Sequence, residues 1–464
     1  MEIPREAKDL HRSLSLASAQ FLDFAEANPD CQVPFDRAAA GGDAWRVTGS
    51  YPIQAWPTFL GPAALAELAE PTRRVSRLIK SVPERIFGLD ARRIAEVFGA
   101  RDEKLLKVIL MRPNGIDEAL ARSDMMRTAD GFRFLEVNTT SRLGGWQARL
   151  FVDAILGMPW MRRFLRETGT EVAYTNPLRS LLAYLAGRAL DAGLDQDGEV
   201  NLAFLVGSAV ALPGLAGLAG FFREEYARLI EETGRPQRGT LTFSFYDAVQ
   251  ETRDGLRLDG RRIHAVFEFE EGLIKAPLLR AFKAGLVHLY NGPAAPILND
   301  KRNLALLSEH DESDLFDAEE RRTIQTYVPW TRIVRPGTVR FQGETSPLCG
   351  LLIARRESMV LKQAVSLGGE GVRMGFETAP EVWEALVDQA LQEGGWVAQE
   401  RLRSLPHWYQ QGDSGYGPCD VIWGLFCFGD RYSGGFTRVL PYGRRGVINS
   451  AQGAQEGLVL TVPE

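Results

Sequence analysis

The sequence predicts a mixed fold, part α/β and part α+β, built as more than one unit. Three observations lead there. At 464 residues the chain exceeds a single ordinary core and should divide into two or three units of roughly 100 to 200 residues each. Between about residues 198 and 300 strand and helix signals alternate, the pattern of a small α/β unit. Two stretches, 121–138 and 358–377, read as antiparallel hairpins, the second around a glycine-rich tip. Hydrophobic content of 45% with 25% charged and 9% aromatic residues suits a globular chain. A net charge of −6 offers no general basic surface for nucleic acid.

In chain order, residues 1–105 look mainly helical, interrupted at "YPIQAWPTFLGP". The opening "MEIPREAKDLHRSL" is charged throughout and lacks the apolar core of a signal peptide. Residues 106–197 hold a strand at "KVILM", the first hairpin, and "TTSRLGGWQARLFVDAIL", which turns through glycines into a helix. The run "AFLVGSAVALPGLAGLAGFF", 203–222, is uncharged over the length of a membrane span. It nevertheless contains Pro213 and four glycines and continues into "REEYARLIEE", with Leu215, Leu218, Phe222, Tyr226 and Leu229 at helical spacing. A buried strand, a loop and an amphipathic helix are therefore expected, with no membrane span. The unit 198–300 continues with "GTLTFSF", a short hairpin at Arg253-Asp254-Gly255, "RIHAVFEF", a helix near "PLLRAFKAG" and "LVHLYNGP". Residues 301–464 open with the helix "DKRNLALLSEH" and run through an acidic stretch into strand and hairpin signals. Cys31, Cys349, Cys419 and Cys427 form no CxxC pair or zinc spacing, so a reducing, cytoplasmic setting is the expectation.

The hairpin "ARSDMMRTADGFRFLEVN" carries unusual chemistry. A three-residue loop Ala129-Asp130-Gly131, with Gly131 left-handed, sets Asp124 opposite Glu136 and Arg122 opposite Asn138. All four then share one face, with opposed Cβ atoms roughly 4.5–5.5 Å apart. Two carboxylates so placed repel unless a cation sits between them, and Asp, Glu and Asn oxygens are hard ligands suited to Mg2+. A solvated hairpin face, its acids neutralised by Arg122, is the alternative.

In "SMVLKQAVSLGGEGVRMGFE" the tip Gly368-Gly369-Glu370-Gly371 can lay backbone N–H groups against phosphate oxygens, although a plain turn would read the same. It is not a Walker loop, since GxxxxGK[ST] is absent. Lys362 lies on the incoming strand and Lys301 opens a helix after "PILND"; each alone also reads as a surface charge. "WVAQERL" ends a strand in Gln399-Glu400, where an adenine ring can meet a strand-to-loop hinge, and "GGFTRVLPYGRRGVINSAQGA" adds Arg438 and Asn449.

Together these residues resemble the ATP-grasp superfamily in its circularly permuted branch, which includes the synthetase domain of glutathionylspermidine synthetase. "LEVN" here precedes "NDKRNLALL", "VLKQAVSLGGEGV" and "WVAQERL", the permuted order. The resemblance covers 106–150 and 285–464 well, and the rest loosely. It implies a permuted ATP-grasp fold with a pre-ATP-grasp-like unit at 198–300. Asp124, Glu136 and Asn138 would hold Mg2+, with Arg122 near the transferring phosphate and Arg438 in the active site. Lys301 and Lys362 would contact ATP, Gly368, Gly369 and Gly371 would cover its phosphates, and Gln399, Glu400 and Leu402 would form the adenine hinge. It also implies an ADP-forming ligase that joins a small-molecule or peptide acid to an amine through an acyl phosphate. Where the glutathionylspermidine enzymes continue with Asp-Thr-Pro, this chain reads "TTSRLGGWQ", so their substrates are not carried over, and their amidase domain has no counterpart. Arg142 in that segment is a candidate for a substrate carboxylate. An inactive nucleotide-binding module and a tRNA-dependent peptide-extending ligase are the competing readings.

Overall fold

The computed structural model describes residues 2–37, 51–99, 106, 120–139, 143–269, 275–290, 294–366, 368–413 and 415–463. The expected strand at "KVILM" and the candidate Arg142 lie outside them.

A seven-stranded sheet forms the centre. Its strands are β1 (Thr58–Leu60), β2 (Ala121–Thr128), β3 (Gly131–Asn138), β17 (His407–Gln410), β18 (Tyr416–Phe428), β19 (Arg431–Pro441) and β20 (Gln455–Thr461). They run in the order β1-β20-β19-β18-β2-β3, and β17 pairs with the first part of β18. Only β1 is parallel to its neighbour, β20, so the helical N-terminal region contributes a strand to a sheet whose other members come from far along the chain. The helices Arg5–Arg12 and Leu16–Ala27 pack there as well. His11 ties them down: its Nε2 accepts the Trp408 N–H at 3.0 Å and its Nδ1 meets Ser18 Oγ at 3.0 Å. Burial, aided by His407 and Arg127, holds this imidazole well below its ordinary pKa, so it stays neutral.

The alternating segment forms a parallel sheet in the order β10-β9-β4-β5, from β4 (Leu202–Val206), β5 (Leu241–Phe245), β9 (Ala265–Glu268) and β10 (His288–Tyr290). β4 is buried on both faces, Phe204 against the main core and Ala203 and Leu205 against a second cluster, which explains its unbroken apolar run. The uncharged stretch becomes β4, two short turns and the helix Ala216–Thr233; among the described residues no helix is long and apolar enough to cross a membrane. "RIHAVFEF" divides between sheets: β8 (Arg261–Ile263) closes a meander with β6 (Gln250–Thr252) and β7 (Gly255–Leu258), and β9 begins after His264.

A third sheet runs β11-β16-β14-β15, from β11 (Thr331–Ile333), β14 (Met359–Gln363), β15 (Val372–Met374) and β16 (Trp396–Glu400). A hairpin of β12 (Thr338–Phe341) and β13 (Glu344–Pro347) lies beside it. The strand expected over "VRMGFE" stops at Met374, where the backbone tightens into a turn at Gly375–Glu377.

The first hairpin differs from expectation in its turn. Thr128 pairs with Gly131, leaving a two-residue turn of Ala129 and Asp130. The extra residue is instead a bulge at Leu135, between the pairs Met125–Phe134 and Asp124–Glu136. Either placement adds one residue before the acids, so Asp124 faces Glu136 and Arg122 faces Asn138 all the same.

Candidate active site

Asp124 is the most heavily engaged side chain of the site. Arg122 grips it with Nε at 3.0 Å from Oδ1 and Nη2 at 2.9 Å from Oδ2. Arg438 reaches it from β19, two strands away, with Nη2 2.6 Å from Oδ1, and Asn138 Nδ2 donates to Oδ2 at 3.2 Å. An ionised carboxylate offers about four acceptor positions; three accept hydrogen bonds and the Arg438 ion pair crowds the remainder. Burial pushes this carboxyl upward, but the two guanidinium groups outweigh it and hold the pKa well below the ordinary aspartate range.

Glu136 is freer. Its side chain is 27% exposed, 3.5 Å from Lys301 Nζ and 3.4 Å from Asn138 Nδ2. Lys301 is anchored by Ser366 O at 3.0 Å, at the base of the glycine tip. Lys362, on β14 and only 7% exposed, donates to Leu135 O at 3.0 Å and to Gln399 Oε1 at 2.7 Å. The bulge has a purpose here, because an unpaired residue in a strand frees its carbonyl for such a donor. Burial drives the Lys362 pKa down to about 8, reinforced by Lys301 and opposed by Glu136 and Asp124.

Gly368 and Gly369 have φ of +63° and +78°, where a side chain is strained. A Cβ on Gly369 would stand 2.9 Å from Val447 Cγ1, and one on Gly371 2.7 Å from Ser366. The tip therefore lies close against residues 446–452, and Gln452 Nε2 donates to Gly368 O at 3.3 Å.

These parts enclose a cavity of about 400 Å3 lined by Asp124, Glu136, Lys362, Gly369, Gln399, Glu400, Leu402, Arg438 and Asn449, among others. Arg122, Lys301 and Asn138 touch its acids from behind. Gln399 and Glu400 hold structure rather than presenting side chains for a base. The Gln399 amide is shared between Lys362 and Thr331, and Glu400 Oε1 accepts the Trp330 N–H at 2.9 Å. Leu402, beyond the strand end, has no internal hydrogen-bond partner among the described residues.

Sequence reasoning missed the apolar walls, Met126, Met374, Ile422, Val447 and Phe376, the last stacked under Arg401 with the guanidinium carbon 3.3 Å from the ring centroid. It also missed Asp420 and Tyr442. The alternation along β18, which places Asp420 and Ile422 on the face of Gly424 opposite Asp124, was the available signal.

Among the described residues no three His, Cys, Asp or Glu side chains group as metal ligands. The donor set still fits a hard cation. Glu136 lines the cavity with its carboxylate and Asn138, whose Nδ2 lies 3.4 Å from it, carries an amide oxygen as a second hard donor; Mg2+ commonly takes one or two carboxylates and completes its shell with phosphates and water. Asp124, saturated by its arginines, fits as their counter-charge more closely than as a ligand. Arg438 Nε is buried without a partner among the described residues, a spare donor beside the cavity.

No protein-family model matches the chain. A protein of Frankia alni provisionally named glutamate–cysteine ligase 2-3 is 29% identical over 266 residues, 53% of this chain but only 28% of that protein. A crystal structure from Methylobacillus flagellatus, provisionally named gamma-glutamylcysteine synthetase, superposes loosely, with a TM-score of 0.37 and 11% identity over 84% of this chain and 88% of the other.

Proposed function

We propose that the chain is an ATP- and Mg2+-dependent carboxylate–amine ligase of the circularly permuted ATP-grasp kind. One observation carries this reading. Segments scattered from residue 122 to residue 438 converge on a cavity whose inner end sets four cations, Arg122, Lys301, Lys362 and Arg438, against two carboxylates, Asp124 and Glu136. A surplus of buried positive charge beside a glycine tip suits a triphosphate carrying its metal. The ligase name of the Frankia relative agrees with it.

In this reading the apolar walls and the Leu402 backbone receive the base, the N–H groups of the glycine tip cover the phosphates, and Lys362 and Lys301 balance their charge. Glu136 and Asn138 would hold Mg2+, which supplies further neutralisation of the phosphate oxygens. A carboxylate oxygen of the acid substrate bonds to the γ-phosphorus as the bond to the β–γ bridging oxygen breaks and ADP leaves. The amine then attacks the acyl carbon, phosphate departs, and the nitrogen loses a proton. The protein's part is alignment and fixed positive charge, so no covalent nucleophile is required. The test is phosphate release from Mg2+-ATP against a panel of amino acids, polyamines and short peptides, with the amide product identified by mass. Stabilisation by Mg2+-ATP without release for any acid and amine pair would make the chain a nucleotide-binding module instead.

A further inference from the structure

We propose that the small α/β unit carries a second ligand site, separate from the nucleotide cavity, that binds a compact polyanion. A cavity of about 530 Å3 opens where β4 and β5 begin, walled by the helix Ala216–Thr233 on one side and the β7–β8 turn on the other. Three guanidinium groups line it: Arg223 from the helix, and Arg261 and Arg262 from β8. None has an acidic partner among the described residues, whereas the nearby Arg228, Arg238 and Arg257 are each paired with a carboxylate. Asp259 is the single carboxylate among the lining residues, so positive charge is in clear surplus.

Two details favour a ligand over a merely basic surface. Arg262, half-buried in the cavity wall, has no hydrogen-bond partner for its Nε among the described residues. The surrounding framework is rigid: Asn201 Oδ1 accepts from Thr240 N at 3.0 Å and Thr240 Oγ1 at 2.8 Å, and Tyr226 Oη is committed to Val200 O at 2.9 Å. Guanidinium groups on both walls of this frame suit an anion that spans them. Guanidinium groups match phosphate and carboxylate geometry, and the volume is that of a small-molecule site. The chemistry is therefore a phosphorylated or polycarboxylate small molecule.

The strands run away from this cavity. The residues that line this cavity and those that line the nucleotide cavity do not overlap, so the two sites are separate. The inference thus holds whether or not the nucleotide cavity turns over ATP.

The test is calorimetric titration of the full chain with inorganic pyrophosphate and, separately, citrate, for wild type and Arg223→Gln/Arg262→Gln. The expected result is a binding event that the double variant weakens about tenfold or more and that added salt weakens as well. Stronger response to pyrophosphate would mark a phosphorylated ligand, and stronger response to citrate a polycarboxylate. Arg223→Gln/Arg261→Gln, which alters only exposed side chains, gives the same readout should the half-buried Arg262 prove necessary for folding. Equal isotherms in wild type and in a folded variant, whether both bind or neither does, overturn the proposal.

Discussion

Replacing Asp124 by Asn tests how the site is held together, because shape is kept and one charge is lost. Asp124 accepts two bonds from Arg122, the 2.6 Å approach of Arg438 and one bond from Asn138, all in a place where it is 2% exposed. The amide keeps one acceptor oxygen and turns N–H protons toward guanidinium groups that have no other counter-charge so close among the described residues. Charge-assisted bonds contribute about 1.5–3 kcal/mol each, and removing one partner of a buried ion pair costs about 3–5 kcal/mol. A loss of about 3–5 kcal/mol is expected, read by urea unfolding with the buried Trp423 and Trp146 as fluorescent reporters. Asp124→Asn/Arg438→Gln should recover part of the loss by removing an orphaned cation. The acid limb gives a second readout. The folded-state pKa lies below the unfolded value near 3.8, so the stabilisation is complete above that pH and is lost as pH falls through the lower folded value. The variant should lack that limb. A destabilisation under about 1 kcal/mol, or losses that simply add in the double variant, would refute the arginine clamp.

Glu136→Ala should abolish ADP release while shifting stability by less than about 1 kcal/mol, since the side chain is part-exposed and weakly bonded; unchanged release in the purified variant would remove the metal assignment. Gly369→Ala should weaken nucleotide binding more than Gly368→Ala. Both glycines sit at positive φ, but only at Gly369 does a Cβ meet a neighbour, Val447 at 2.9 Å; equal effects on KM for ATP would count against a close-fitting tip. Lys362 predicts opposite trends with pH. Its charge is lost as pH rises through about 8, so nucleotide affinity should fall there. Between about 8 and the unfolded value of 10.5 the unfolded chain binds more protons, so stability should rise with pH over the same window. Lys362→Met should erase both trends in paired binding and melting profiles.

What was legible in the sequence was short-range. Period-two alternation put Arg122, Asp124, Glu136 and Asn138 on one face, and that reading survived a wrong turn because the extra residue, at the turn or at Leu135, shifts the register equally. Asp-Gly cannot by itself distinguish a two-residue turn from a three-residue one. Tertiary pairing was not legible. β1 is three residues long and finds its partner some four hundred positions away, and nothing local in "TFL" marks it as the edge of the central sheet. Arg438 meets Asp124 only because β18 stands between β19 and β2. Met126, Ile422 and Phe376 have the composition of core, and only the packed structure turns them toward a cavity.

The two kinds of cation in the site are held in opposite ways. Arg122 and Arg438 have a counter-charge in place at Asp124, which ties them to the hairpin. Among the described residues Lys362 has a carbonyl and an amide oxygen as its direct partners, and its burial is unfavourable enough to bring its pKa down to about 8. A buried ammonium left short of negative charge gains from a nearby anion, and the Leu135 carbonyl at the bulge holds it in place. On the proposed reading the acid pair need not be two equivalent ligands: Asp124 secures the arginines, while Glu136, part-exposed and loosely bonded, would be free to meet a cation entering with its phosphates.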